Sequence, residues 1–349
     1  MTTMMKYTTM ATDTDLLSSY DYYLPPNLIA STPTLPKEEA RLLVYERGKD
    51  KIHHLKFKNL HEILPDCSII FNDTRVVKAR ILGYKDSGGA SEILLNTPLN
   101  DNKFSVYIKG KVRIGSIIKF SKNLIAKVCE IYENGTRAVE FTQNGQILDA
   151  ASLFDLLEEI GHVPLPPYIK RADNKDDESW YQSIFAKYHG AVAAPTASLH
   201  FNDEMIKTLK KDHDINFLTL HVGAGTFKSV ESEIIRDHLM HGEFYQIPKD
   251  TQELINSNKP ILGIGTTVTR CVEEFARSKI SSGECKLFLN LYNRPIRQNY
   301  LLTNFHLPKS TLIMLVTSFI GLDKTMEIYK TAIEKEYKFY SYGDGMLII

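Results

Sequence analysis

Two glycine-rich segments that follow apolar runs are the first places where this sequence could do chemistry. One is His221-Val222-Gly223-Ala224-Gly225-Thr226-Phe227, the other Gly263-Ile264-Gly265-Thr266-Thr267. Glycine lets a backbone approach a ligand closely, and free N–H groups at a helix start attract an anion or a carboxylate. Neither segment has the spacing of a dinucleotide fingerprint or a Walker loop. A ligand cradle and an ordinary strand-to-helix turn capped by Thr266 or Thr267 therefore both stay open on spacing alone.

Histidines come next. His200, His221 and His306 each sit among apolar and small residues. Each is either a hydrogen-bonded structural imidazole or a general acid/base near neutral pH, and taken singly each reads as structural. Asn72-Asp73-Thr74-Arg75 directly follows an apolar run, so it is either the polar carboxyl end of a strand or an Asx turn with a surface arginine. His238, His241 and Glu243 resemble half of a metal site, but no further ligands converge in an HExxH-type pattern, and no metal is expected.

Charge limits the partners. Lys plus Arg and Asp plus Glu both number 42 in 349 residues, so the net charge is zero and bulk charge would not hold nucleic acid. Any RNA contact must use a local patch. Lys170-Arg171, Lys207/Lys210/Lys211 and Lys109/Lys111/Arg113 are such patches, the last alternating as if on one face of a strand; a solvated surface is the default for all three. The four cysteines form no CxxC pair, which argues against a disulfide scaffold or a Cys-rich zinc site. The first residues lack the apolar core of a signal peptide, and Leu312 to Leu322 is too short to span a membrane. A cytoplasmic chain is expected.

The elements that must position these residues can be read next. With 43% hydrophobic residues, the chain should bury a sizeable core in about two domains. Residues 1–19 read as a loose polar extension. Leu42–Tyr45 and Ser68–Phe71 are apolar runs of the kind buried on both sheet faces, with a helical segment near His61 between them. From Val76 the texture changes to six short strand-like pieces: Ala79–Tyr84, Glu92–Asn96, Phe104–Lys109, Ser116–Phe120, Ile125–Tyr132 and Ala138–Phe141. Asn134-Gly135 between two of them predicts a tight hairpin with both residues at positive φ. The fold class is therefore α/β: a large mixed domain, 1–75 and 151–349, with a small antiparallel β-barrel inserted at 76–150. In the second part, Ser152–Ile160 predicts a helix and Phe217–Val222 and Ile261–Ile264 predict buried strands. Asp250 and Glu253 suggest a capped helix start, and Tyr168–Ser179 a mobile charged loop.

Taken together, seven ordered blocks resemble the S-adenosylmethionine:tRNA ribosyltransferase-isomerase family of queuosine biosynthesis. They are Asn72–Val76 (NDTRV), Glu159–Arg171, Ala191–Phe201, Leu218–Phe227, Gly263–Arg270, Leu302–Val316 and Tyr340–Leu347 (YSYGDGML). The likeness runs from about Tyr22 onward. The chain departs from it at Ser198 and Gly345, both small-residue swaps, and at Asn290–Tyr300, where a Pro-Gly-aromatic turn is expected.

The resemblance implies an enzyme that takes S-adenosylmethionine as ribosyl donor, with no metal or nucleotide cofactor. Its partner would be tRNA carrying 7-aminomethyl-7-deazaguanine at the wobble position. The ribosyl group would be transferred and isomerised to give epoxyqueuosine-tRNA, releasing adenine and methionine from a monomeric, non-membrane protein. Membership of the blocks together with this chemistry nominates His221, His306 and Asp73 for acid/base work. Arg75 and Arg270 become candidate clamps for the methionine carboxylate. Gly223, Gly225, Thr226, Gly265 and Thr266 would lie against the nucleoside, and Lys170 and Arg171 would meet tRNA. Two other readings remain from other classes: a conventional methyltransferase, which would want a strand-GxGxG-helix unit opening the chain, and a non-catalytic RNA-binding barrel. Tyr84, Phe104, Tyr107 and Phe120 are the barrel's chief aromatics for the latter.

Overall fold

A computed structural model describes residues 13–227 and 230–349. The apolar runs become a nine-stranded mixed sheet. Its order is Ser282–Cys285, Glu243–Gln246, Ile215–Leu220, Ser68–Asn72, Ile261–Ile264, Tyr300–Asn304, Gly345–Ile348, Arg41–Glu46 and Lys51–Lys56. The four central strands, from Ile215–Leu220 to Tyr300–Asn304, are mutually parallel. Ser68–Asn72 and Ile261–Ile264 are buried at every residue, as strands covered on both faces must be. Ile206 and Leu209 of the Asp203–Leu209 helix pack in one core layer with Ile69 and Phe71. Val268, Val272 and Phe275 of the Thr266–Ser278 helix join another layer with Ile70 and Leu218. Beyond these, the Thr311–Ile320 and Leu322–Glu334 helices pack a third layer around Phe305, Tyr329 and Phe339.

Inserted between Val76 and the Ala150–Ile160 helix is the antiparallel barrel. Its six strands are Arg80–Lys85, Ala90–Pro98, Lys103–Lys109, Ile117–Lys119, Leu124–Ile131 and Arg137–Gln143, closed by pairing of the last two. Alternate residues such as Ile81, Ile93, Val106 and Val139 fill its interior, and Leu153 and Leu157 of the helix plug it.

Several local expectations are corrected. At Asn134-Gly135 only the glycine has positive φ, because Asn134 instead turns its side chain to accept the Thr136 N–H at 3.0 Å in a longer turn. The two-residue hairpin turn lies at Asn144-Gly145, with φ 51° and 83°. Asp250 does not cap its helix; Pro248 occupies the N-cap of Lys249–Asn256. Of the loose extension expected at 1–19, residues 1–12 lie outside the described residues. From residue 13 onward the segment is packed: Leu16 bridges Ile234 and Tyr20 is fully buried. The charged Tyr168–Ser179 segment is tied down by Asp177, a buried carboxylate that accepts from Arg171, from the Asn174 backbone N–H at 2.9 Å and from the Tyr342 hydroxyl at 2.8 Å. The divergent Asn290–Tyr300 segment is held to the Thr266–Ser278 helix by the buried Glu273, whose carboxylate accepts the N–H groups of Ile296, Arg297 and Gln298.

Candidate active site

The four parallel strands end along one edge, and each is followed by one of the sequence blocks. Asp73 follows the first in chain order, His221 the second, Gly265 the third and Phe305-His306 the fourth. The carboxyl edge of a parallel sheet is where ligands bind in open α/β folds. Here it borders a cavity of about 340 Å³, within the range of small-molecule sites. Thr226, Gly265, Thr266, Thr267 and Arg270 line one side, Thr303 to Leu312 another, and Tyr168, Tyr181 and Tyr340 an aromatic side.

Gly265 is the N-cap of the Thr266–Ser278 helix, with φ 90° and ψ 158° and no side-chain cap. Thr266 and Thr267 are therefore helical residues rather than caps. Their first-turn N–H groups have no intrahelical acceptor, and both residues line the cavity. That end of the cavity favours a carboxylate.

His306 lies on the wall, 7% exposed. Its Nε2 is 2.9 Å from Thr303 Oγ1, and its backbone N–H donates to the Tyr329 hydroxyl at 3.1 Å. Burial holds its pKa down to about 3, so the ring is neutral at physiological pH. Next to it Asn304 accepts from Thr196 Oγ1 at 2.9 Å and donates to the Tyr340 carbonyl, with its Nδ2 also 3.3 Å from His200 Nε2. His200 stacks on Phe57 and, buried, is likewise held to a pKa of about 3.

A buried acid that the sequence presented only as half of a metal site organises the other wall. Glu243 Oε1 accepts from the Gly223 N–H at 3.0 Å and from Thr226 Oγ1 at 3.2 Å, and Oε2 pairs with Arg270. Burial alone would raise the Glu243 carboxyl; Arg270, His241 and the Gly223 N–H outweigh it and hold the pKa at about 2. Arg270 also donates to the carbonyls of Leu287 and Cys285. Its guanidinium is thus a brace between elements, which corrects its reading as a free carboxylate clamp. Among the described residues no group of three or more His, Cys, Asp or Glu side chains could hold a metal.

Other candidates lie off the cavity. His221 Nδ1 is 2.8 Å from Thr74 Oγ1, the ring sits beneath Gly190, and burial lowers its pKa. Asp73 accepts from Thr219 Oγ1 at 2.6 Å, and burial raises its pKa. Arg75 lines a separate crevice with Lys78, Glu158 and Glu178. Gly223 and Gly225 are not on the cavity wall; a Cβ on Gly225 would meet His241 at 2.8 Å. Arg171 is spent on Asp177, at 2.6 and 2.7 Å, and on the Ser31 carbonyl, so it is a structural clasp rather than an exposed phosphate contact. Lys170 is exposed. Sequence reasoning missed Glu243 as a brace and the tyrosine wall. Tyr168 and Tyr340 both fall inside the family-like blocks, which was the available signal.

The family model for "Queuosine biosynthesis protein" matches residues 17–348. The chain belongs to the queuosine biosynthesis family. Within it, the chain is similar to the S-adenosylmethionine:tRNA ribosyltransferase-isomerase of Campylobacter concisus, 67% identical over 338 residues that cover 97% of this chain and 99% of that protein. The enzyme of the same name from Campylobacter fetus is 64% identical over 95% of this chain and 98% of that one. The fold of this family member matches a crystal structure of S-adenosylmethionine tRNA ribosyltransferase from Thermotoga maritima, with a TM-score of 0.53 and 31% identity, over 95% of this chain and all of that one. The α/β fold with an inserted barrel is thus that of a solved relative. No helix among the described residues is long and apolar enough to cross a membrane.

Proposed function

We propose that the chain is a ribosyltransferase-isomerase that moves the ribosyl group of S-adenosylmethionine onto 7-aminomethyl-7-deazaguanine in the tRNA wobble position, releasing adenine and methionine. One observation carries this reading. Residues from six of the seven blocks, from Tyr168 in the second to Ser341 in the last, line a single cavity at the carboxyl edge of the sheet. The rival methyltransferase reading would place the cosubstrate on a glycine-rich unit opening the chain, and the first strand, Arg41–Glu46, is followed by Arg47-Gly48-Lys49 with no such unit.

The chemistry assigns work to each wall. The uncapped helix start at Thr266 suits the methionine carboxylate. The tyrosine faces suit the sulfonium, which they attract without attacking it. His306, neutral and with one nitrogen held at Thr303, takes the proton from the ribose carbon beside the sulfonium. The imidazolium formed in that step then gives its proton to the departing adenine. The enzyme works as a cytoplasmic monomer and without a metal or other cofactor.

The test mixes purified protein with S-adenosylmethionine and tRNA bearing the aminomethyl base. Adenine and methionine should form in equal amounts. Labelled ribose carbon should enter the tRNA while a labelled methyl leaves with methionine, and chelator should change neither yield. Methyl label in the tRNA would overturn the reading.

A further inference from the structure

Alternation along a strand puts every second side chain on one face. On Ala90–Pro98, residues Ser91, Ile93 and Leu95 are buried, so Ala90, Glu92 and Leu94 share the barrel's outer face; the register shifts between Leu95 and Thr97, and Asn96 in that bulge donates to the Ser105 hydroxyl at 3.4 Å. Cross-strand register extends that face. Leu94 lies opposite Tyr107 and Arg80, Glu92 opposite Lys109 and Leu82, Ala90 opposite Tyr84, and Tyr84 opposite Lys119. Leu82 and Tyr84 are 51% and 64% exposed.

At one end this face touches the site. Asn96 Oδ1 accepts the Ala224 N–H at 3.0 Å, in the loop that carries Thr226 to the cavity. At the other end it runs into the turn Gly110–Gly115, which follows the Lys103–Lys109 strand. The expected alternation of Lys109, Lys111 and Arg113 on one strand is corrected here, because the strand stops at Lys109 and the other two project from the turn. Lys85 Nζ donates to the Lys111 carbonyl at 2.7 Å, and the Arg113 N–H donates to Ser116 Oγ at 3.0 Å, so the turn is held in one shape. Among the described residues no carboxylate lies in ion-pair range of Lys109, Lys111 or Arg113, whereas the nearby Glu92 pairs with Arg80 and Asp86 with Lys119. The four steps along the strand from Asn96 to Glu92 span about 13 Å at about 3.3 Å per residue. The strand whose Asn96 meets the site loop thus leads, through the Glu92–Lys109 pair, to the basic turn.

We propose that this outer face of the barrel, ending in the basic turn Lys109–Arg113, is where the stem of the substrate RNA docks. The inference rests on the proposed tRNA substrate and adds its surface. Phosphates of the stem lie against Lys109, Lys111 and Arg113, and Tyr84 offers an exposed ring beside them. In a chain of zero net charge, three exposed basic side chains on one held turn supply the local positive charge that a phosphate backbone needs.

The experiment measures tRNA Kd directly, by filter binding across a salt series, in the triple variant Lys109→Ala, Lys111→Ala, Arg113→Ala. All three side chains are exposed, and a thermal melt checks that the fold is kept. Kd at roughly physiological salt should rise about tenfold, and the slope of log affinity against log salt should fall by about 0.7–0.9 for each phosphate no longer neutralised. Affinity for S-adenosylmethionine should not change. Lys207→Ala, Lys210→Ala, Lys211→Ala on a separate basic cluster should leave the slope as it was. An unchanged slope in the first triple variant overturns the docking face. So does a loss confined to heparin, which would mark a general anion patch. Because Kd is read without turnover, failure of the ribosyl-transfer reading would show separately, in the absence of adenine release by the parent protein.

Discussion

Acid should find this protein through His200 and His306. Both imidazoles are held to a pKa of about 3 by burial, with Lys37 adding to the effect at His200, against 6.5 when free. Between those values the unfolded chain binds protons that the folded chain refuses. Stability is thus fully present above pH 6.5 and is lost as pH falls toward 3, by up to about 1.4 kcal/mol per pH unit for each histidine. Replacing His200→Gln should flatten that slope by one histidine's share, read by denaturant titration at a series of pH values. A slope identical to that of the parent protein would mean that His200 is protonated in the fold. His306→Gln should lower kcat by roughly 10²–10⁴-fold while S-adenosylmethionine binding persists. Intact turnover with a depressed melting temperature would make His306 a structural residue. Neither imidazole's environment could be read in the sequence. Apolar neighbours along the chain suggested burial, but Phe57 over His200 and Thr303 beside His306 arise from packing.

Elements were more legible than their joints. Strands such as Ile261–Ile264 and the six of the barrel announced themselves by apolar runs and turn residues, because backbone pairing and burial act over a few residues. What could not be read were pairings across distance. Glu243 read as half of a metal site with His238 and His241, because the arginine it braces stands 27 positions along the chain. The Arg171–Asp177 clasp was hidden within a segment that composition alone marks as a loop. The start of the Thr266–Ser278 helix shows how a single joint sets the site. At φ 90° and ψ 158° Gly265 occupies backbone space that is nearly closed to other residues. Gly265→Ala should destabilise the fold by about 1–3 kcal/mol. Because the change tilts the first-turn N–H groups, it should also raise the KM for S-adenosylmethionine more than it lowers kcat. A melt and a cosubstrate titration of the same variant check both parts. An unaltered KM would show that the helix start does not meet the cosubstrate.

The molecule as a whole is joined at narrow points. The barrel core includes Ala224, which belongs to the site loop, and the Ala224 N–H is answered by Asn96 on a barrel strand. Asn96→Ala leaves that N–H without its acceptor, which costs about 1–3 kcal/mol if the loop keeps its place. We expect the loop to shift instead, so cosubstrate affinity should fall while the barrel's hydrogen-exchange protection survives. Protection lost across the barrel strands would show that the bond supports the barrel itself. The sheet holds a longer-range join. Arg41–Glu46 pairs in parallel with Gly345–Ile348, so Leu42 meets Gly345 across roughly 300 residues of intervening chain. At about 5–20 residues per second, a ribosome needs on the order of 15–60 s between making one strand and the other. For that interval the early strand can pair only with the neighbouring Lys51–Lys56 hairpin arm, leaving an apolar edge bare. Nascent chains of this enzyme should therefore be clients of ribosome-associated chaperones, held from the emergence of the first hairpin until the strand at 345–348 arrives to close the sheet.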